Sequence, residues 1–178
     1  MGKIVLITGG SRSGKSTYAQ SLAESLPGKR AFVATCPIVD KEMDKRIEIH
    51  RQHRLNKGWQ TIEEPLDLTG VMRSNSQYDV LLVDCLTLWV NNVLHEADGE
   101  VTENDISSQC SELLDVCSQR NCTVIFVTNE VGMGIVPNNA LARRYRDLVG
   151  RCNQMIAAIA DEVVLVTCGI ATKLKEVQ

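Results

Sequence analysis

An α/β fold, with a mostly parallel sheet and helices on both of its faces, is predicted by three observations. Short strand-like runs alternate with longer helix-like runs along the whole chain. The strand-like runs are rich in β-branched residues, as in strands that are buried on both sides. A glycine-rich turn separates the first strand from the first helix. No repeat, low-complexity stretch or linker interrupts the pattern, so residues 1–178 are predicted to form one domain.

The composition narrows the class of protein. The chain has 178 residues, of which 44% are hydrophobic and 23% charged, as in ordinary soluble domains with a substantial core. A net charge of −3 argues against a general nucleic-acid or anionic-membrane partner. No stretch approaches the length of a membrane-spanning helix, and the N-terminus lacks the features of a signal peptide. We therefore expect a cytoplasmic protein.

Seven cysteines raise the question of a metal site or disulfides. No pair has the C-x-x-C spacing, the number is odd, and most lie within apolar runs. We therefore expect small buried hydrophobic residues in a reducing compartment. Cys36 is the exception to watch, because it lies at the end of a predicted strand.

The first glycine turn has the spacing of a phosphate-binding loop. The apolar run Lys3–Thr8 precedes it, and a helical pattern through Tyr18, Leu22 and Leu26 follows it. The motif G-x-x-x-x-G-K-S comprises Gly9, Gly10, Ser11, Arg12, Ser13, Gly14, Lys15 and Ser16. Its glycines let backbone N–H groups approach an anion, and the helix N-terminus favours phosphate.

Two side chains of this loop have predicted roles in the chemistry. Lys15 is expected to reach the β- and γ-phosphates of a nucleotide, and the Ser16 hydroxyl is expected to hold Mg²⁺. The alternative is a Gly/Ser-rich turn that matches the motif by chance. The strand before it and the helix after it favour the functional interpretation.

The second predicted strand, Ala31–Thr35, ends near the expected ligand. Ligands of open parallel sheets gather beyond the carboxyl ends of the strands. This rule places Ala34, Thr35 and Cys36 near the nucleotide. An ordinary strand end explains these residues about equally well.

The polar segment Asp40–Arg54 is predicted to be a helix, because Asp40 is a good N-cap and basic residues fill its last turn. His50 lies on its narrow apolar stripe, between Arg46 and Arg54. One interpretation is a solvated surface helix with an incidental histidine. The other, which the arginines favour, is a nucleophile facing phosphates. His53 is a weaker candidate.

Two further strands bring carboxylates to the same edge of the sheet. The segment Trp59–Pro65 alternates like a strand, and Glu63 or Glu64 could accept hydrogen bonds from a ribose or base. A polar strand end explains these glutamates almost as well. The apolar run Tyr78–Asp84 ends on Asp84, which is expected to hold Mg²⁺ beside the phosphate loop.

The remaining pattern completes the sheet and its helices. Helices are predicted over Leu66–Ser74, Leu86–Leu94, Asn104–Cys117 and Asn139–Ala160, and strands over Cys122–Thr128 and Glu162–Thr167, the last closing the sheet. The loop Asn129–Pro137 contains several apolar residues, which cannot all be exposed to solvent. It is therefore expected to pack on a partner or to line a site.

Several segments together resemble the bifunctional adenosylcobinamide kinase/adenosylcobinamide-phosphate guanylyltransferase family. The matching stretches are Thr8–Ser16, Arg46–Arg51, Trp59–Glu63 and Val127–Pro137. The phosphate loop is generic, whereas the run from Thr128 to Pro137 is specific to the family. The resemblance covers nearly the whole chain.

The resemblance implies a fold like that of the RecA-type ATPases, a homo-oligomer such as a trimer, and a set of site residues. Gly9 to Ser16 would bind the nucleoside triphosphate, and His50 would take GMP as a covalent phosphoramidate. Glu63 and Asp84 match acidic positions at the nucleotide site, and the residues beside the nucleotide would be Arg51, Gln52, His53 and Arg54. Where some relatives carry a second histidine, this chain has Ile49.

The implied activity has two steps, with ATP or GTP and Mg²⁺ as cofactors. Adenosylcobinamide would first be phosphorylated, and GMP would then pass from GTP through His50 to adenosylcobinamide phosphate, giving adenosylcobinamide-GDP in the nucleotide loop assembly of cobalamin. The corrinoid is expected on the Asn129–Pro137 loop and a neighbouring subunit. The alternatives are a monofunctional small-molecule kinase and a non-catalytic nucleotide-binding subunit. A regulatory GTPase is disfavoured, because Asn56-Lys57 lacks the aspartate of the N-K-x-D motif.

Overall fold

The structure, a computed structural model, describes residues 2–36, 52, 54–55 and 57–176. Seven strands form one sheet, and their bounds are β1 Lys3–Thr8, β2 Arg30–Ala34, β3 Trp59–Glu63, β4 Val80–Asp84, β5 Thr123–Val127, β6 Glu162–Thr167 and β7 Ile170–Glu176. The helices of the described ranges are α1 Lys15–Ser25, α2 Leu68–Ser74, α3 Leu86–Glu96, α4 Glu103–Ser118 and α5 Ala140–Ile159.

The sheet is parallel except at one edge. Its strand order is β3-β2-β4-β5-β1-β6-β7, and only the pairing of β6 with β7 is antiparallel. The expectation that β6 closes the sheet is wrong, because Cys168 and Gly169 adopt positive φ angles and turn the chain back into β7. The six parallel strands all have their carboxyl ends on the same side of the sheet. The phosphate loop lies on this side, because it directly follows the carboxyl end of β1.

Both faces of the sheet are covered by helices, as the sequence predicts. Alternate residues of β1 enter different cores. Ile4 and Leu6 pack in a cluster with α2, α3, α4 and α5, whereas Val5 and Ile7 pack in a second cluster with α1. This burial on both sides explains the unbroken apolar sequence of β1.

Most predicted elements are confirmed within a few residues, with informative differences. Helix α4 begins one residue early, because Thr102 and Asp105 form a reciprocal capping box at its start. The second half of α5 is buried on one side only, and Ile159 is 56% exposed. Most of the predicted helix Asp40–Arg54 lies outside the described residues.

The cysteines follow the expectation with one exception. All are free thiols; five are buried, Cys36 is half-buried and Cys168 is exposed. Among the described helices, none combines the length and apolar character that crossing a membrane would need.

Candidate functional site

A cavity of about 470 Å³ opens where the parallel strands end. We call it the loop cavity, because the phosphate loop from Ser11 to Ser16 forms its floor. Strands β2, β3 and β4 supply one wall, and residues after β4 and β5 and on α5 supply the opposite wall. Its position agrees with the rule that ligands bind beyond the carboxyl ends of parallel strands.

The phosphate loop is held against β6 and the turn after it. A Cβ atom on Gly9 would lie 2.8 Å from Ser13 Oγ and closer still to the carbonyl oxygen of Val166, so only glycine fits. The N–H of Gly169 donates to the carbonyl oxygen of Ser13 at 2.8 Å. The φ angle of Gly14 is 94°, the left-handed region that glycine adopts without strain. These contacts fix the loop before any nucleotide arrives.

The loop presents a cation and an unsatisfied hydroxyl to this space. The Lys15 ammonium donates to the carbonyl oxygen of Gly10 at 3.1 Å, and its residue is only 8% exposed. Burial lowers the pKa of Lys15, while the nearby Asp84 carboxylate acts in the opposite direction. The buried Ser13 hydroxyl has no hydrogen-bond partner among the described residues. An anion in the cavity would compensate both the buried charge and the unmet hydroxyl.

Ser16 and Asp84 present oxygen donors of the kind that Mg²⁺ prefers. Both line the loop cavity, Ser16 in the first turn of α1 and Asp84 at the end of β4. The described residues contain no cluster of three or more His, Cys, Asp or Glu suited to a metal ion. A hydroxyl and one carboxylate fit a Mg²⁺ ion that takes its other ligands from water and phosphates.

The wall made by β2 and β3 contains an aromatic ring and a buried cation. Phe32, Ala34 and Cys36 all line the cavity, since alternate residues share one face of a strand. The guanidinium carbon of Arg54 lies 3.6 Å from the centre of the Phe32 ring, and Arg54 is only 5% exposed. Glu63 also lines this wall. The wall therefore combines a buried pair of an aromatic ring and a guanidinium with a carboxylate.

The structure divides the predicted site residues into groups. From Ser11 to Ser16 the phosphate loop lines the cavity, together with Ala34, Cys36, Arg54, Glu63 and Asp84. Gly9 and Gly10 support the floor without lining it, and Gln52 is exposed and not in the lining. His50, Arg51 and His53 lie outside the described residues.

Thr35 is near this site but does not face it. Its hydroxyl accepts from the Cys85 N–H and donates to the Cys85 carbonyl oxygen, both at 2.8 Å. The residue is fully buried. Thr35 thus ties the end of β2 to the residue after β4, which positions Asp84.

The opposite wall is a polar network that the sequence analysis missed. Thr87 is its centre: its hydroxyl accepts from the Asn129 amide at 2.9 Å and contacts Cys85 Sγ at 2.9 Å. The Tyr145 hydroxyl donates to the Thr87 carbonyl oxygen at 3.2 Å. Burial, helped by the nearby Cys85, raises the pKa of Tyr145 to about 12. Burial and then Asp84 raise the pKa of Cys85 to about 11, so this thiol stays protonated and is a poor nucleophile at neutral pH.

The segment after β5 also reaches behind the phosphate loop. Glu130 accepts a hydrogen bond from the Thr8 hydroxyl at 2.7 Å, and its N–H donates to the Gly9 carbonyl oxygen at 3.2 Å. Thr128 and Asn153 are joined by a 2.7 Å hydrogen bond. The stretch that begins with Thr128 therefore braces the loop while Asn129 lines the cavity.

Comparison with solved structures shows the fold. The RadB recombinase matches with a TM-score of 0.52 and 16% sequence identity, over 92% of this chain and 73% of that chain. The α/β, P-loop fold expected to resemble the RecA-type ATPases is thus confirmed.

Comparison with curated proteins shows close relatives over nearly the full length. The bifunctional adenosylcobalamin biosynthesis protein CobU of Escherichia coli strain K12 is 40% identical, over 97% of this chain and 99% of that protein. The CobU protein of Salmonella typhimurium is 41% identical over the same shares. The bifunctional adenosylcobalamin biosynthesis protein CobP of Pseudomonas aeruginosa is 39% identical, over 96% of each chain.

A model of a protein family also matches this chain. The model described as cobinamide kinase / cobinamide phosphate guanyltransferase matches residues 5–174, which include the phosphate loop and every wall of the loop cavity. Together with the full-length relatives, this match shows that the chain belongs to the cobinamide kinase / cobinamide phosphate guanyltransferase family.

Proposed function

We propose that this chain phosphorylates adenosylcobinamide and then transfers GMP to the product, giving adenosylcobinamide-GDP. The observation that carries the proposal is the loop cavity, in which Lys15, Ser16 and Asp84 share one space with Arg54 and Glu63. The relatives named as bifunctional adenosylcobalamin biosynthesis proteins support it, since they match over nearly their whole length.

In the first step, a hydroxyl of the acceptor attacks the γ-phosphorus of ATP or GTP. The bond from that phosphorus to the bridging oxygen breaks, a nucleoside diphosphate leaves, and the hydroxyl proton is lost to solvent or a carboxylate. Lys15 and the loop N–H groups stabilise the charge that spreads over the transferring group. Mg²⁺, when held by Ser16 and Asp84, would neutralise further phosphate charge.

In the second step, a ring nitrogen of His50 attacks the α-phosphorus of GTP and pyrophosphate leaves. A phosphate oxygen of the acceptor then attacks the same phosphorus, the P–N bond breaks, and the imidazole is regenerated. Arginine side chains suit the phosphates of both species, because guanidinium donors match phosphate oxygens in pairs. Beside the nucleotide we propose Arg51, Gln52, His53 and Arg54, with Ala34, Thr35 and Cys36 at the strand end.

We also propose the setting in which this chemistry takes place. Residues 1–178 form one domain that carries both activities, and the protein is a cytoplasmic homo-oligomer, for which a trimer is one arrangement. The exposed apolar side chains of Met133 and Ile135, 82% and 95% accessible, support self-association.

The test separates the two steps in the full-length protein. We expect the wild type, given GTP, Mg²⁺ and adenosylcobinamide, to form first the phosphate and then the GDP adduct, as followed by mass spectrometry. Lys15→Ala should abolish the first product, because its ammonium holds the transferring phosphate. His50→Ala should still form the phosphate and stop there.

Two results would contradict the proposal. One is a wild-type protein that binds nucleotide but modifies no cobinamide, which is the behaviour of a non-catalytic subunit. The other is a His50→Ala protein that still makes adenosylcobinamide-GDP at the wild-type rate.

A further inference from the structure

A second concavity of about 620 Å³ lies between the C-terminal half of α3 and the first turns of α5. We call it the outer groove, and its lining is Asn91, Leu94, His95, Asp98, Gly99, Asn139, Leu141, Ala142 and Tyr145. Within the described ranges no lysine or arginine lines it. Arg144 lies beside it, where its guanidinium donates to the carbonyl oxygen of Gly99. The lining itself, unlike that of the loop cavity, contains neither the cations nor the glycine loop that a phosphate needs.

The outer groove and the loop cavity share a wall. Tyr145 lines both, and its hydroxyl is fixed on the carbonyl oxygen of Thr87, a residue of the loop cavity. Helix α3 begins at Leu86 beside the loop cavity and ends at Glu96 beside the outer groove. The two sites therefore adjoin each other at Tyr145.

The loop between the two sites carries unusual exposed apolar side chains. The chain leaves the loop cavity at Asn129 and reaches the outer groove at Asn139. Between them, Met133 is 82% exposed and Ile135 95% exposed, and Leu141 in the groove itself is 53% exposed. Large apolar side chains concentrated on a loop beside a binding site indicate an interaction surface.

We propose that the outer groove binds the corrinoid ring of the acceptor, while the aminopropanol arm passes Tyr145 and places its hydroxyl or phosphate in the loop cavity. This inference rests on the proposed function and names a substrate subsite for it. The acceptor has one reactive group on a short arm and a bulky ring that the loop cavity, already assigned to the nucleotide, does not accommodate.

The lining matches the chemistry of a corrinoid ring. Such a ring has methyl-bearing apolar faces, a rim of carboxamide side chains and a positive charge on its cobalt–corrin core. Leu141 offers an apolar contact. The Asn91 amide and the NH2 group of Asn139, whose Oδ1 caps α5, can bond to carboxamides. The Asp98 carboxylate has the sign that complements a cationic ring.

The test compares two substitutions of the same kind at exposed leucines. Leu141→Lys changes the outer groove, and Leu174→Lys changes β7, where Leu174 is 60% exposed and outside both sites. Binding of adenosylcobinamide to the full-length protein is measured by equilibrium dialysis with detection of corrinoid absorbance. Nucleotide binding is measured separately with a fluorescent GTP analogue and reports whether each variant folds.

We expect Leu141→Lys to raise the Kd for adenosylcobinamide at least about tenfold, because an ammonium group replaces an apolar contact and repels the cationic ring. Leu174→Lys should stay within about twofold of the wild type, as surface substitutions do. If Leu141→Lys fails to bind nucleotide, Asn91→Arg, at an exposed position of α3, is used in its place, and we expect the same loss of affinity.

Different failures have different meanings. A groove variant that binds nucleotide and also binds adenosylcobinamide with wild-type affinity overturns the inference and leaves the proposed function standing. Equal weakening by Leu174→Lys overturns it as well, because the effect would not be specific to the groove. A wild type that does not bind adenosylcobinamide at all contradicts the proposed function itself, and the inference falls with it.

Discussion

Tyr145 lines both the loop cavity and the outer groove. Its ionisation makes the stability of the folded protein depend on pH. Its pKa is raised to about 12 by burial and by the neighbouring Cys85, whereas a free tyrosine ionises near pH 10. Below about pH 10 the phenol is neutral in both the folded and the unfolded chain. Between these two pH values the unfolded chain loses the proton and the folded protein keeps it, so stability falls as the pH rises.

Tyr145→Phe removes this ionisation and therefore changes how steeply the free energy of unfolding depends on pH. We expect the free energy of unfolding of the variant to decline less steeply than that of the wild type between about pH 10 and the raised pKa. Urea unfolding at a series of alkaline pH values measures both slopes. The lost hydrogen bond to Thr87 lowers stability by a similar amount at every pH below about 10, so it does not imitate the effect. Parallel curves for the two proteins would rule out the raised pKa.

The residue scale also shows what sequence reasoning could recover. Lys15 and Asp84 were predictable, because a local motif or a strand end identifies each one. Phe32 could have been found from the alternation that places it on the same face of β2 as Ala34. Tyr145 and Thr87 could not, since they are 58 residues apart in sequence and only the packing of α5 on α3 brings them together.

At the scale of elements, the phosphate loop depends on its support by β6. Gly9 and Gly10 are neighbours with opposite requirements: a Cβ atom on Gly9 would overlap the Val166 carbonyl oxygen, whereas one on Gly10 would meet nothing within 4 Å. The motif alone does not distinguish these glycines, because the distinction depends on a strand more than a hundred residues further along the chain.

The two alanine substitutions therefore form a matched pair. We expect Gly9→Ala to lower the free energy of unfolding by about 1–3 kcal/mol, the usual range for an overpacked site. Gly10→Ala should change it by less than about 0.5 kcal/mol. Urea unfolding of the nucleotide-free protein makes the comparison. Equal loss in both variants would mean that the loop is not braced by β6.

Strand β7 is the element that sequence reasoning missed. Nearly all of its residues are exposed, and a bulge opposite Val163 and Val164 interrupts its alternation near the end. Buried apolar runs identify central strands, and a solvated edge strand such as β7 has no such run. The missed element matters, because the turn that leads into β7 contacts the phosphate loop through Gly169.

For the whole molecule, the fold can be predicted from the alternation of strand and helix patterns in the sequence. The complete site cannot, because its residues come from distant segments that meet only in the folded protein. Alternating strands and helices predicted a parallel sheet, and the side chains of β1 are buried in the cores on both faces of that sheet. The loop cavity then gathers residues from β2, β3, β4, α1, α3 and α5. Two wall regions result: one, around Arg54, suits a nucleotide, and the other, around Tyr145, opens toward the proposed corrinoid site.

The central claim is that one histidine carries GMP between GTP and the acceptor. It is tested most directly by incubating the full-length protein with GTP labelled at the α-phosphate, without any corrinoid, and counting label on the denatured protein. We predict an acid-labile, base-stable adduct in the wild type and in the control His95→Ala, whose residue lines the outer groove and not the loop cavity, and none in His50→Ala. Label that persists in His50→Ala, or that never attaches to the wild type, would contradict the account.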